Sequence, residues 1–158
     1  MTKMGSESIE KRRQVDKIED NFVAGENRPL IPDDKYQVKC IHYETGRSHH
    51  NSIKLFLHFK IIEGKYFETT LFMAINLSDS RTGKEFKKVP SGSKYYESWV
   101  IANNNQLPSR GDRMSPKVFK NKIFEVKTRI VRPKFNDGTE KPECFHYTVV
   151  DHIIERLA

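Results

Sequence analysis

No stretch of this chain approaches the ~20 consecutive apolar residues that a membrane-spanning helix requires. The opening octet, MTKMGSES, lacks the apolar core of a secretory signal, so an intracellular, cytoplasmic protein is expected. Cysteine is scarce. Cys40 and Cys144 stand alone in strand-like runs with no metal-ligand spacing, which reads as two reduced, packed thiols. The usual marks of catalysis are missing too: no phosphate-cradling glycine loop, no nucleophile elbow and no HExxH pair. Asp33, Asp34, Glu63, Asp112 and Asp151 fall on turns and strand ends, scattered where a metal-dependent nuclease needs them gathered. His42, His49, His50 and His58 lack the cysteine or carboxylate that would complete a four-ligand set. The expectation is a non-enzymatic protein with no catalytic residue, metal or cofactor.

What the chain does have is positive charge and β-period alternation. Its 158 residues suit one domain plus a tail, with a formal net charge of +7. Between Arg110 and Lys134 nine basic residues face only Asp112 and Glu125, a local excess that attracts polyanions. The same run also reads as a merely solvated face.

Residues 1–34 differ from the rest. Ser6 to Asp20 is mostly charged, and GENRPLIPDD is linker chemistry, with Pro29 and Pro32 denying helix. This reads as an arm that is mobile or docked along a domain spanning 35–158. Strands are expected at YQVKCIHYE (36–44), within NSIKLFLHFKIIEGKY (51–66), at FETTLFMAINL (67–77), VFKNKIFEVKTRIV (118–131) and FHYTVVDHII (145–154). Between the third and fourth, KYYESWVIANNN puts Tyr95 or Tyr96, Trp99, Val100 and Leu107 at helical spacing, with Ser93 as N-cap, Pro108 beyond the end, and Tyr96, Trp99 and Val100 as the cluster that would plug the barrel. The order strand, strand, strand, helix, strand, strand predicts a mainly β protein: a five-stranded, OB-fold-like Greek-key barrel with one helix between strands 3 and 4.

The second strand poses a question. Ile53, Leu55, Leu57, Phe59 and Ile61 form an apolar row, while Lys54, Phe56, His58 and Lys60 fall on the opposite side, where a phenylalanine is out of place in water. On the third strand, Leu71, Met73 and Ile75 inward would put Thr70, Phe72 and Asn76 outward beside them, although a one-residue slip would bury Phe72. Phe56 and Phe72 then form a platform for stacking bases, with Lys54 and Lys60 meeting phosphates. Arg47 in the first-to-second loop, Lys127 and Arg129 on the fourth strand, and Arg132 and Phe135 in the fourth-to-fifth loop are expected to extend the track.

The stretches IPDDKYQVKCIHYETG, KLFLHFKIIEGKYFETTLFMAIN, SKYYESWVIANN, PSRGDRMSPKVF and YTVVDHII resemble small proteins of phages, plasmids and integrated mobile elements. Their pattern, IP-x-G-x-Y…F-x-I-x-x-G-x-Y…LF-x-x-x-N, is associated with OB-fold single-strand DNA-binding proteins. Asp34 stands where that pattern has glycine. The resemblance implies single-stranded DNA binding of low sequence specificity, in mobile-element replication, recombination or transfer. RNA is a variant of the same reading, and an edge strand could pair two copies. The alternative is a protein-interaction module whose exposed aromatics hold a partner in a larger assembly.

Overall fold

The computed structural model describes residues 28–47, 52–79 and 81–158. The charged arm up to residue 27, together with His49 and His50, lies outside the described residues. Five strands form one antiparallel sheet: β1 (Lys35–Arg47), β2 (Ile53–Ile61), β3 (Thr70–Asn76), β4 (Ile123–Val131) and β5 (Tyr147–Arg156). The order across it is β3-β2-β1-β4-β5, so the long first strand is the centre and pairs on both sides. One helix, α1 (Lys94–Ala102), lies between β3 and β4 in the chain. The hydrogen-bonded ladder is open between β3 and β5. Rings bridge that gap, with Phe72 and Tyr147 stacked at 6.3 Å between centroids. Among the described residues no helix is long and apolar enough to cross a membrane.

The period-two alternation of β2 is the clearest link from sequence to packing. Leu55, Leu57, Phe59 and Ile61 are fully buried, and every residue between them is only half-buried. On β3 the same rhythm buries Leu71, Met73 and Ile75, so the pairing Leu57↔Met73 and Phe59↔Leu71 zips one apolar face. Phe124, Val126 and Thr128 continue that face on β4. A chain of ring contacts then ties the sheet to the helix: Phe59 meets Phe124 edge-on at 6.2 Å, Phe124 meets Phe119 at 6.4 Å, and Phe119 meets Tyr95 at 6.2 Å.

Several boundaries differ from the sequence expectation. The third strand begins at Thr70, because Phe67 belongs to a turn in which Gly64 adopts a φ of 83°. Phe67 is 57% exposed there. The fourth strand begins at Ile123: Pro116–Val118 forms a single 3-10 turn, and Asn121 takes a left-handed φ of 63° that interrupts any ladder. Phe145 sits in another such turn, Glu143–Phe145, so the last strand starts at Tyr147. Ser93 does cap α1, accepting from the Tyr96 N–H at 3.2 Å. Its deepest line, however, is Tyr95, Ser98 and Ala102, with Tyr96, Trp99 and Val100 only half-buried. The Tyr95 hydroxyl explains the choice, since it donates to the carbonyl of Met114 inside the core.

The last residues before β1 are docked on the sheet. Ile31 is buried, and its backbone is held on both sides by Thr148: the Ile31 N–H donates to Thr148 Oγ1 at 2.9 Å, and that hydroxyl donates to Ile31 O at 2.7 Å. The Thr148 N–H donates in turn to Pro29 O at 2.8 Å. Three residues on, Thr128 repeats the device with Asp34. The segment read as linker is therefore stitched to the inner side chains of β4 and β5.

The cysteines part company. Cys40 is fully buried on β1, and burial pushes its thiol up to about 11. Cys144, expected to be packed, is exposed in the Glu143–Phe145 turn. In the native state a thiol reagent is expected to consume one thiol per chain at neutral pH, with the second reacting only after denaturation. Thr148→Val keeps the shape and the β preference but orphans both Ile31 backbone groups. It should cost roughly 1–3 kcal/mol in urea unfolding.

Candidate nucleic-acid interface

The outward face of β1, β2 and β3 is a grid whose rows follow from register. Lys39, Lys60 and Thr70 lie side by side, then His42, His58 and Phe72, then Glu44, Phe56 and Ala74, and last Gly46, Lys54 and Asn76. Phe72 faces away from the core, half-buried beside Phe56, so the slipped register does not occur. The two rings sit 6.4 Å apart at 54°. Phe72 continues to Tyr147 at 6.3 Å and 23°, giving three rings in a row over β2, β3 and β5. Below them lies a shallow depression of about 350 Å3, lined by Phe56, Phe72, His58, Glu44 and Arg28 among others.

These ring spacings are nearly twice the ~3.4 Å rise per base of a stacked duplex strand. A row spaced in this way matches bases that have been pulled apart from one another. It does not match a continuous stack.

Charge is arranged around the rings. Lys54 lies at one end of the β2 row, and Lys60 at the other, 3.5 Å from Glu68. The Arg28 guanidinium lies over the Tyr147 ring at 4.4 Å and over Phe72 at 5.4 Å. His42 and His58 stack at 5.6 Å, and His58 Nε2 is 3.1 Å from Glu44 Oε1.

The other candidates are placed elsewhere. Lys127 lies opposite Lys35, nine residues of β1 away from Glu44, or about 30 Å of extended chain. Its ammonium is 2.7 Å from Asp33. Arg129 pairs with Asp151 at 3.1 Å. A hydrogen bond from the His152 ring holds that aspartate below the usual carboxylate range, aided by Lys94 and Arg129, so it is ionised at neutral pH. Arg132 is 3.9 Å from Glu140. Phe135 is exposed on the β4–β5 loop, where Lys141 reaches over it at 5.5 Å and over Phe145 at 5.4 Å. Arg47 ends β1, paired in register with Ile53. Among the described residues, no group of three histidine, cysteine, aspartate or glutamate side chains could hold a metal ion.

Sequence reasoning missed Arg28, Glu44 and Tyr147 at this face, and Lys141 and Phe145 on the loop. His42 was weighed only as a metal ligand. Alternation gave no signal for Tyr147, since Thr148, Val149 and Val150 are all buried in a row after it. Nothing in GENRPL marked Arg28, whose place is fixed by hydrogen bonds between segments more than a hundred residues apart.

No protein-family model matches this chain, and no curated protein is similar to it. The geometry has to speak for itself.

Arg28 lies over the rings through an exposed cation–π contact, a type worth about 0.5–1 kcal/mol. Arg28→Ala should therefore lower the unfolding free energy by less than ~1 kcal/mol, clearly below the loss from Thr148→Val. Chemical denaturation of the two variants side by side checks that order.

Proposed function

We propose that this chain is a non-enzymatic protein that binds single-stranded DNA with low sequence specificity, on an OB-fold-like barrel. The observation that carries the reading is the row Phe56, Phe72 and Tyr147 on the sheet's outer face, with Lys54 and Lys60 beside it and Arg28 lying over Phe72 and Tyr147, a contact that a base stacking on those two rings would displace. Half-buried rings on the outer side of a strand still cost hydration and lie outside the core. As stacking partners they are useful, because every base has a π-face. The barrel part of the proposal is supported by the strand order and by the approach of β3 to β5 at Phe72 and Tyr147.

In this mechanism an unpaired strand lies across β2 and β3, its bases on the rings and its phosphates toward the cations. Duplex DNA is refused because its bases are already stacked and paired, with their faces out of reach. Affinity then has two separable parts: stacking, which is indifferent to salt, and neutralisation of phosphates, which is not.

The test is fluorescence anisotropy of labelled oligo-dT, duplex DNA and oligo-U across a salt series. If Lys54, Lys60 and Arg28 meet about three phosphates, the slope of log K against log salt should be about −2, from ~0.7 per phosphate on single strands. Phe56→Ala with Phe72→Ala should cost about 2–6 kcal/mol of binding, at ~1–3 kcal/mol per stacked base, with the circular dichroism spectrum unchanged. Unaltered affinity in that double variant rejects the platform. Attraction that vanishes with salt for every polymer favours the protein-interaction module.

A further inference from the structure

The face just described is rich in cations and rings, yet it contains Glu44. A carboxylate in the track of a polyanion repels phosphate and lowers affinity for any nucleic acid, unless it does something else. Its position suggests what. Glu44 is the direct cross-strand neighbour of Phe56, and both line the same depression. Its side chain is 57% exposed, so a ligand can reach it. His58 engages only Oε1, at 3.1 Å, and this ties the carboxylate toward the ring row. An ionised carboxylate has roughly four lone-pair sites, so acceptor capacity is left over. Two residues further along β1, a Cβ at Gly46 would lie 3.6 Å from Phe56 Cε2, so the glycine leaves that ring edge uncovered.

A base stacked on Phe56 projects its hydrogen-bonding edge sideways, in the plane of the ring. In a single strand that edge is free of a pairing partner. Toward β1 it meets Glu44. Cytosine offers the N4 amino group and adenine the N6 amino group, both donors, and carboxylates accept well from such groups. Thymine offers O4 at the corresponding position, an acceptor that brings lone pairs against lone pairs.

Resting on the single-strand reading above, we propose that Glu44 is a specificity-determining residue. It makes the Phe56 subsite prefer bases that carry an exocyclic amino group on the pairing edge, cytosine, adenine and guanine, over thymine. The preference is a bias within generally tolerant binding, since Glu44 is exposed and the net gain of one ordinary hydrogen bond sets its scale at about fivefold. Glu44 acts by direct contact with the base edge, and His58 positions it.

The decisive comparison is cytosine against thymine, because the two pyrimidine rings are of similar size and stack alike, whereas adenine could win on stacking alone. Anisotropy titrations of the full chain with labelled oligo-dC, oligo-dA and oligo-dT at one fixed salt concentration should give about fivefold tighter binding to dC than to dT. Glu44→Ala should erase that ratio, chiefly by strengthening dT binding as the repulsion is removed. Glu44→Gln, whose amide can donate to O4, should also bring the ratio close to one. Equal binding of dC and dT by the unmodified protein overturns the proposal, as does a dC preference that survives in Glu44→Ala, and either result leaves single-strand binding itself standing. If none of the three homopolymers binds, the single-strand reading has failed and this one falls with it.

Discussion

Strict alternation along β2 is the constraint on which the rest of this structure depends. With Leu55, Leu57, Phe59 and Ile61 buried completely, the strand has no freedom to slip, because a shift of one residue would send lysine and histidine into the core. That requirement pins β1 on one side and β3 on the other. It also decides the outer face without any contribution from the outer residues themselves. Phe56 and Phe72 are held outward by the burial of their neighbours, so the side of the sheet on which both rings lie is set by the core.

Legibility followed range of interaction. Elements whose identity is written in local period were readable: β2 and β3 kept their expected inward rows, and Ser93 its cap. Readings that depended on a distant partner went astray. Tyr95 and Tyr96 have equal claims on the helix interior by spacing, and only the carbonyl of Met114 decides between them. Ile31 lies between two prolines in a stretch of turn-forming residues, and what draws it inward is a hydroxyl 117 positions later. Cys144 lost its expected burial because a turn preceded the strand that was meant to contain it.

The basic run between Arg110 and Lys134 shows the limit of counting charges. Arg110, Lys127, Arg129 and Arg132 each have a carboxylate nearby in the fold, three of which, Asp33, Glu140 and Asp151, lie outside the run. Exposed pairs of this kind are worth about 0–1 kcal/mol, so they are easily exchanged for a phosphate. The local excess is real, but much of it is already answered. The rings of the outer face have their own cations nearby, Lys54, Lys60 and Arg28.

A final feature lies in β1. The register slips by one residue between Cys40 and His42, leaving Ile41 as an extra, largely exposed residue. Val38 and Cys40 point inward before the slip, and Tyr43, opposite Leu57, is the core-side residue after it. Counted strictly by twos, the strand would hide an imidazole and a carboxylate and show solvent a tyrosine. A single supernumerary residue thus inverts the chemistry of half a strand, and insertion or loss of one amino acid at this point would rewrite the surface without touching any residue that forms it.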